Sequence, residues 1–425
     1  MARTGVARLL ATIAAVCGAV PQASADLPVI RFWPDVFPCD GTLQACIDAA
    51  GPDDQIRIAT DGPILESIAF SKPLSLVAQG GYHPVFSSGG TIDARTSASG
   101  DQTIRIEGLG FDQGAVGVFQ ASTGAATFQI VNNSFVNGGS IGVGSNLPGV
   151  GPISFVASGN TLTSMFSARI SVGSNTTTLT GSISDNTIET GADANYAIEV
   201  GSRATVDVLR NRISGGSPGI ALEAGSVSRV LDNLVTGQQG QPGALQSDGI
   251  DVWATSSDPI TATIVNNTIA NTYAGISVRD VGGQHAGIYC LIENNLITGN
   301  RGGIFNEAYQ NDPSATIGIG KNLFFGNTVY NVAYTLGLGF SPLVADPLYV
   351  SSSDFHVRPG SPAIDAGEDS AVPGDLATDL DGNPRIQGSH VDIGAFEAPE
   401  PGRSLGEAAG VAALIGLGLR RRSSC

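Results

Sequence analysis

Apolar and polar residues alternate along most of the chain in short strand-length runs, and these runs recur with a longer beat. An Asn followed two residues on by an aliphatic or aromatic residue returns at Asn133, Asn160, Asn186, Asn211, Asn233, Asn267, Asn295 and Asn322. A second series of apolar positions, usually preceded by Gly or Ala, runs through Val116, Ile141, Ile170, Ile198, Ile220, Ile250, Ile276 and Ile304. The two series interleave in one order, with intervals of 22 to 34 residues. Strands of period two, repeated at that distance with an Asn at a recurrent bend, predict an all-β, single-stranded parallel β-helix solenoid. No coil can bury its own apolar edge, so stacked coils share one core. Residues 56–345 then make about ten coils, roughly 50 Å long at about 4.8 Å per coil. Asn tolerates the left-handed conformation and its amide can bond neighbouring backbone, so the Asn series should form an internal ladder at the bend.

Ahead of the coils, residues 41–51 read as a capped short helix closed by Gly51, whose apolar face of Leu43, Cys46 and Ile47 would plug the open end of the core. Residues 26–55 are assigned to this N-terminal cap. The coils resemble the right-handed parallel β-helix proteins of the pectate-lyase-like group, a resemblance that supplies the handedness. After them come Asp346-Pro347-Leu348, Gly360-Ser361-Pro362-Ala363-Ile364-Asp365-Ala366-Gly367, Asp379-Leu380-Asp381-Gly382-Asn383-Pro384-Arg385 and Val391-Asp392-Ile393-Gly394-Ala395-Phe396-Glu397. Together these resemble the choice-of-anchor Q domain, so residues 346–397 are read as a C-terminal cap module of that type. The family shares this module among β-helix proteins that end in different surface-sorting signals.

The ends set the compartment. Arg3 and Arg8, the apolar residues 9–20 and Ala23-Ser24-Ala25 read as a secretory signal over residues 1–25. At the other end Pro399-Glu400-Pro401 leads to the apolar residues 408–419 and then Arg420, Arg421 and Arg422. As a helix that run rises about 18 Å, short of a bilayer core of roughly 30 Å. Residues 398–425 resemble the PEP-CTERM sorting tail of Gram-negative bacteria, which implies recognition by an exosortase-type machinery and transient membrane contact. The expected location is the cell surface or extracellular matrix. Export permits disulfides, and Cys39 and Cys46 are read as one in preference to two free thiols.

Composition narrows the chemistry. There are 57 Gly and 22 Pro, only 14% charged residues and a net charge of −17, with Lys72 and Lys321 the sole lysines. A polyanion partner would be repelled, which excludes nucleic acid. Four histidines, His83, His285, His356 and His390, show no metal-ligand spacing. Asp379 and Asp381 look like part of a calcium loop, although the further ligands of an EF-hand are lacking; the competing reading is that Asp365, Asp379, Asp381 and Asp392 satisfy backbone groups and pair with Arg385.

Counting one and three residues on from each core Ile gives two outward columns. They bring Glu223, Asp251, Trp253, Arg279 and Glu307 to one face, with Asp248 at its edge. An exposed Trp253 would stack on a sugar, the carboxylates would accept hydroxyls or hold calcium, and Arg279 would neutralise a uronate or act as a base. Alternatively Arg279 pairs with Glu307 and stacks on Trp253 with no ligand at all. The leading function is binding or organising extracellular polysaccharide. The alternatives are a polysaccharide lyase or glycoside hydrolase on the carboxylate-rich face, and a structural surface protein without ligand.

Overall fold

The computed structural model describes residues 28–399 apart from 98, 166, 192–195, 216–217, 238–247, 282, 284–286, 309–311, 313 and 335–341. The signal at residues 1–25 and the tail from residue 400 lie outside the described residues, as does His285. Among the described residues no helix is long and apolar enough to cross a membrane.

The chain is a right-handed parallel β-solenoid of about 11 turns. Three parallel sheets run its length, of 12, 12 and 11 strands. They are called faces 1, 2 and 3 here, in the order a coil visits them; one coil passes through Ala126–Val131, Ser134–Val136 and Gly139–Ser145. Register is kept from coil to coil, so that Ile170, Ile198, Ile220, Ile250, Ile276 and Ile304 form one column on face 3. Inward residues are almost all aliphatic, with Phe86, Phe111 and Phe135 stacked at 5.1 and 4.7 Å.

The bend between faces 1 and 2 is a two-residue turn. Its second residue is the ladder Asn, buried from Asn133 to Asn322. From Asn160 on, each amide oxygen accepts from the backbone N–H and the side-chain amide of the ladder Asn one coil earlier, as between Asn160 and Asn133 at 3.0 and 3.1 Å, while Asn133 itself accepts the Leu109 N–H. The left-handed residue is not the ladder Asn, as expected from sequence, but the one before it: Asn132, Gly159, Asp185, Arg210, Asp232, Asn266 and Asn294 have positive φ. The division is physical. The αL residue reverses the chain, and the residue after it is thereby aimed inward with a short amide that reaches the next coil.

The helix Leu43–Ala49 is capped by Thr42, and its buried Leu43, Cys46 and Ile47 lie against the core. Two details differ from the sequence reading. The C-cap is Ala50 in extended conformation, and Gly51 instead donates its N–H to Asp54. A strand, Ile30–Trp33, also precedes the helix and pairs with Gln55–Ile58, so face 1 begins inside the segment read as a cap. Cys39 and Cys46 are joined by a disulfide, while Cys290 is buried with its thiol pushed up to about 12 by desolvation.

Residues 346–399 do not sit over the end of the solenoid. They fold back along its flank, over the corner between faces 1 and 2. Phe355, Leu376, Leu380, Ile393 and Phe396 pack against the outward Leu231, Val265, Ala270, Leu296 and Leu323. Asn266 donates to the Asp392 carbonyl, and Asn294 exchanges hydrogen bonds with the Glu368 backbone. Arg229 pairs with Asp375 at 2.8 Å and Arg212 with Asp381 at 2.5 Å. Beneath the module Arg385 is buried with Asp232 at 3.2 Å and Glu397 at 3.4 Å, and it donates to the Asp392 and Gly394 carbonyls. The module thus covers one corner and leaves face 3 clear of it.

Candidate functional site

Beyond Asp93 and Arg95, the two outward columns of face 3 pass through a stretch of small residues between Phe119 and Glu199. Gly117, Gly142, Ser171 and Glu199 follow one another in the first, and Phe119, Gly144 and Gly173 in the second. Because these positions carry little side chain, the sheet surface dips into a groove of about 620 Å³. It crosses the strands from Ala115–Phe119 to Ile220–Glu223 and is bordered by Arg169, Asn175, Glu199 and Glu223. Four coil spacings make it roughly 19 Å long. A Cβ on Gly142 would meet nothing within 4 Å, so that floor position opens directly into the groove.

Side chains grow larger where the groove ends. Glu199 and Glu223 lie on adjacent strands, near enough for the Glu199 charge to act on Glu223, and Ser171 Oγ donates to Glu199 at 2.7 Å. Burial and the neighbouring Glu199 charge push the Glu223 carboxyl up to about 7. The Tyr196 hydroxyl is pushed up to about 12, first by burial and then by Glu223, Glu199 and Asp251.

The sequence-derived residues fall as follows. Glu223, Trp253 and Arg279 stand opposite one another on successive strands, with Ala221, Asp251 and Ser277 in the next column. Asp251 is fully buried, and the Arg279 guanidinium grips both its oxygens, with Nε to Oδ1 at 3.1 Å. Arg279 also lies 3.8 Å from Asp248, and Glu307 is near enough to act on both Asp251 and Arg279. Asp248 is buried, accepts the Ala274 N–H at 3.2 Å and is pushed up to about 7 by desolvation and by Asp251. The Trp253 indole is not the exposed platform expected from sequence. It is half-buried 6.3 Å from the Tyr196 ring, with its Nε1 shielded from solvent and without a hydrogen-bond partner among the described residues. Alternation on a strand gives the side a residue faces and says nothing of what lies over that side, which is why the exposure was misjudged.

Asp379 and Asp381 do not converge on a common point. Asp379 is buried and accepts backbone N–H groups of Asp381, Asn383 and Glu397, whereas Asp381 pairs with Arg212 and with His356. Their oxygens are used in shaping the flank module. Asp365 and Asp392 likewise accept backbone N–H groups.

Sequence reasoning passed over Glu199, Tyr196 and the glycine floor. Glu199 was legible, since it stands in the first column one coil before Ala221. Gly142, Gly144 and Gly173 carried a signal too, as missing side chains at outward positions on two adjacent strands of face 3.

With this geometry in hand, a family model described as "Periplasmic copper-binding protein (NosD)" matches residues 131–337. Among solved structures the chain is similar to pectate lyase Pel9A, at 13% identity over 87% of this chain and 96% of that one, with a TM-score of 0.47. It is also similar to the periplasmic alginate epimerase AlgG, at 12% identity over 68% of this chain and 76% of that one, with a TM-score of 0.37. No curated protein matches. The likeness is one of fold.

Proposed function

We propose that this protein is an exported, surface-sorted β-solenoid that binds an extended extracellular polysaccharide along face 3. The observation carrying the reading is the groove itself: a trough with a glycine and serine floor, running along the solenoid axis and ending in hydroxyl-accepting carboxyls. A linear polymer fits a linear trough, and backbone exposed at glycines offers hydrogen bonds to sugar hydroxyls. Glu223, with Glu199, holds the last unit, and Trp253, Asp248, Asp251, Arg279 and Glu307 form the wall behind it. In this proposal residues 398–425 address the chain to an exosortase-type machinery through a transient membrane contact, and residues 346–397 are a choice-of-anchor Q-type module docked on the flank.

Binding is preferred to hydrolysis on geometric grounds. Two carboxyls that cleave a glycoside flank the bond at about 5–9.5 Å from each other. Glu199 and Glu223 rise side by side from adjacent strands of one sheet, not from opposite walls of the groove. Asp251 is held by Arg279 on both oxygens, so neither group is free to move a proton.

The donors described do not fit copper, the metal in the printed description of the matching family model. Copper sites draw on imidazole, thiolate and thioether. Among the described residues no three His, Cys, Asp or Glu side chains form a metal-binding group. His356 binds Asp354 and Asp381, His390 faces Asp369, and Cys39 is bonded to Cys46.

The test is equilibrium binding of the secreted protein to a panel of neutral, acidic and amino polysaccharides, with product release followed in the same samples. Saturable binding without shortening of the polymer supports the reading. No binding across the panel would return the protein to a purely structural role.

A further inference from the structure

Beyond the groove, face 3 holds a second concavity built from different chemistry. A cavity of about 190 Å³ is walled by Tyr273, Phe305 and Tyr330, with Asp248, Arg279 and Arg301 around it. Its walls are positioned by the corner before the face 3 strands: Tyr273 precedes Ala274–Asp280, Arg301 precedes Gly302–Asn306, and Tyr330 opens Tyr330–Ala333. Tyr330 stands opposite Gly302 in the register and lies directly on it, since a Cβ at Gly302 would come 2.2 Å from Tyr330 Cζ. Glycine at that position is what lets the ring lie against the sheet. The Phe305 ring is 6.4 Å from it, inclined at 37°.

Charge in this cavity is not balanced evenly. Arg279 is neutralised by Asp251, with Asp248 beside it. The Asp248 carboxyl in turn accepts the Ala274 N–H, so its charge is spent on protein groups. Arg301 stands apart: its guanidinium lies 4.8 Å over the Tyr273 ring and donates to the Tyr273 hydroxyl, and it forms no ion pair among the described residues. It is also exposed and free to meet a ligand. A volume equal to roughly six waters admits one six-membered ring. Aromatic walls favour the C–H faces of such a ring, and a guanidinium held by an aromatic face is preorganised for a planar or tetrahedral anion.

We propose that this cavity is a subsite for a single pyranose ring bearing an anionic substituent, with Arg301 as the residue that selects the charge. The proposal rests on the reading of face 3 as a glycan surface and names the class of sugar that its second subsite takes. A carboxylate and a sulfate ester share the chemistry, and the experiment separates them.

The full-length secreted protein is titrated calorimetrically at low salt with glucuronic acid, galactose 6-sulfate and glucose, alongside the polysaccharide panel. The expected result is at least tenfold tighter binding of one or both anionic sugars than of glucose, with the tighter of the two identifying the substituent. Arg301→Gln, at an exposed position, should keep the parent melting temperature and reduce that preference to within about twofold. Gly302→Ala should weaken all three sugars by displacing Tyr330. Equal binding of glucose and the acids by the parent, or a preference that survives in Arg301→Gln, overturns the proposal. If a polysaccharide still binds in either case, the groove reading stands while this one falls. Binding of nothing at all removes both.

Discussion

Asn267 accepts two hydrogen bonds from Asn233, at 3.0 Å from its backbone N–H and 2.9 Å from its side-chain amide, although 34 residues separate them in sequence. Asn267 passes the same pair of bonds on to Asn295. Each coil is therefore tied to the next at a fully buried bend, where an unmade hydrogen bond cannot be replaced by water. Asn267→Leu leaves the Asn233 backbone N–H unmet in the interior and takes the side-chain donor from the Val230 carbonyl, while Asn233 Nδ2 keeps the Val208 and Leu231 carbonyls. At about 1–3 kcal/mol per orphaned group, it should cost on the order of 3 kcal/mol. Chemical denaturation of parent and variant measures this, and an unchanged midpoint would contradict the role given to the ladder.

The flank module should respond to pH through Glu397. Burial, only partly offset by Arg385, pushes its carboxyl up to about 8 from an ordinary value of 4.5. A carboxyl raised on folding binds more protons in the native state, so its contribution to stability falls between about pH 4.5 and 8 and is level above that. Glu397→Gln keeps the shape and removes the titration. The melting temperature of the variant relative to the parent should therefore rise between pH 5 and pH 9. A difference that stays constant, or changes in the opposite sense, would show that Glu397 does not titrate beneath the module.

The fold was readable because a repeat states its own register. The columns through Ile170 to Ile304 were counted from sequence, and the parallel pairing places the same residues opposite one another. Three things were not legible, each for a physical reason. The turn conformation was assigned to the ladder Asn because Asn suits both jobs, whereas the turn divides them between Asn266 and Asn267. The docking of residues 346–399 on the flank depends on outward Leu231, Val265, Leu296 and Leu323, which look like core residues when only periodicity is read. The sequence reading looked to charged residues, of which Glu223 alone lines the groove, whereas the groove is made by the absence of side chains at Gly142, Gly144 and Gly173.

The outer asparagines give a separate handle on the module. Asn294 donates to the Glu368 carbonyl at 3.1 Å and accepts its N–H at 2.8 Å. Asn294→Ala should loosen residues 346–399 while leaving the coil ladder intact, because Asn295, not Asn294, carries the ladder. Hydrogen exchange should report faster exchange at Gly367 and Glu368 with little change at Asn295. Uniform acceleration across both would show that the module and the coils unfold as one unit.

Sorting is tested at the tail. Deleting residues 399–425 should move the protein from the cell-associated fraction into the medium, since the apolar residues 408–419 and the following arginines are the retention device read from the sequence. Unchanged fractionation would place retention elsewhere in the chain.

The most direct measurement fills the groove. Gly142 has an ordinary backbone conformation and open space above it, so Gly142→Trp should fold as the parent does while its indole occupies the floor of the trough. Affinity for the best polysaccharide of the panel is compared between parent and variant at equal melting temperature. The account predicts a loss of at least tenfold in the variant. Binding equal to the parent would mean that the glycan does not lie along face 3, and the central claim would fail.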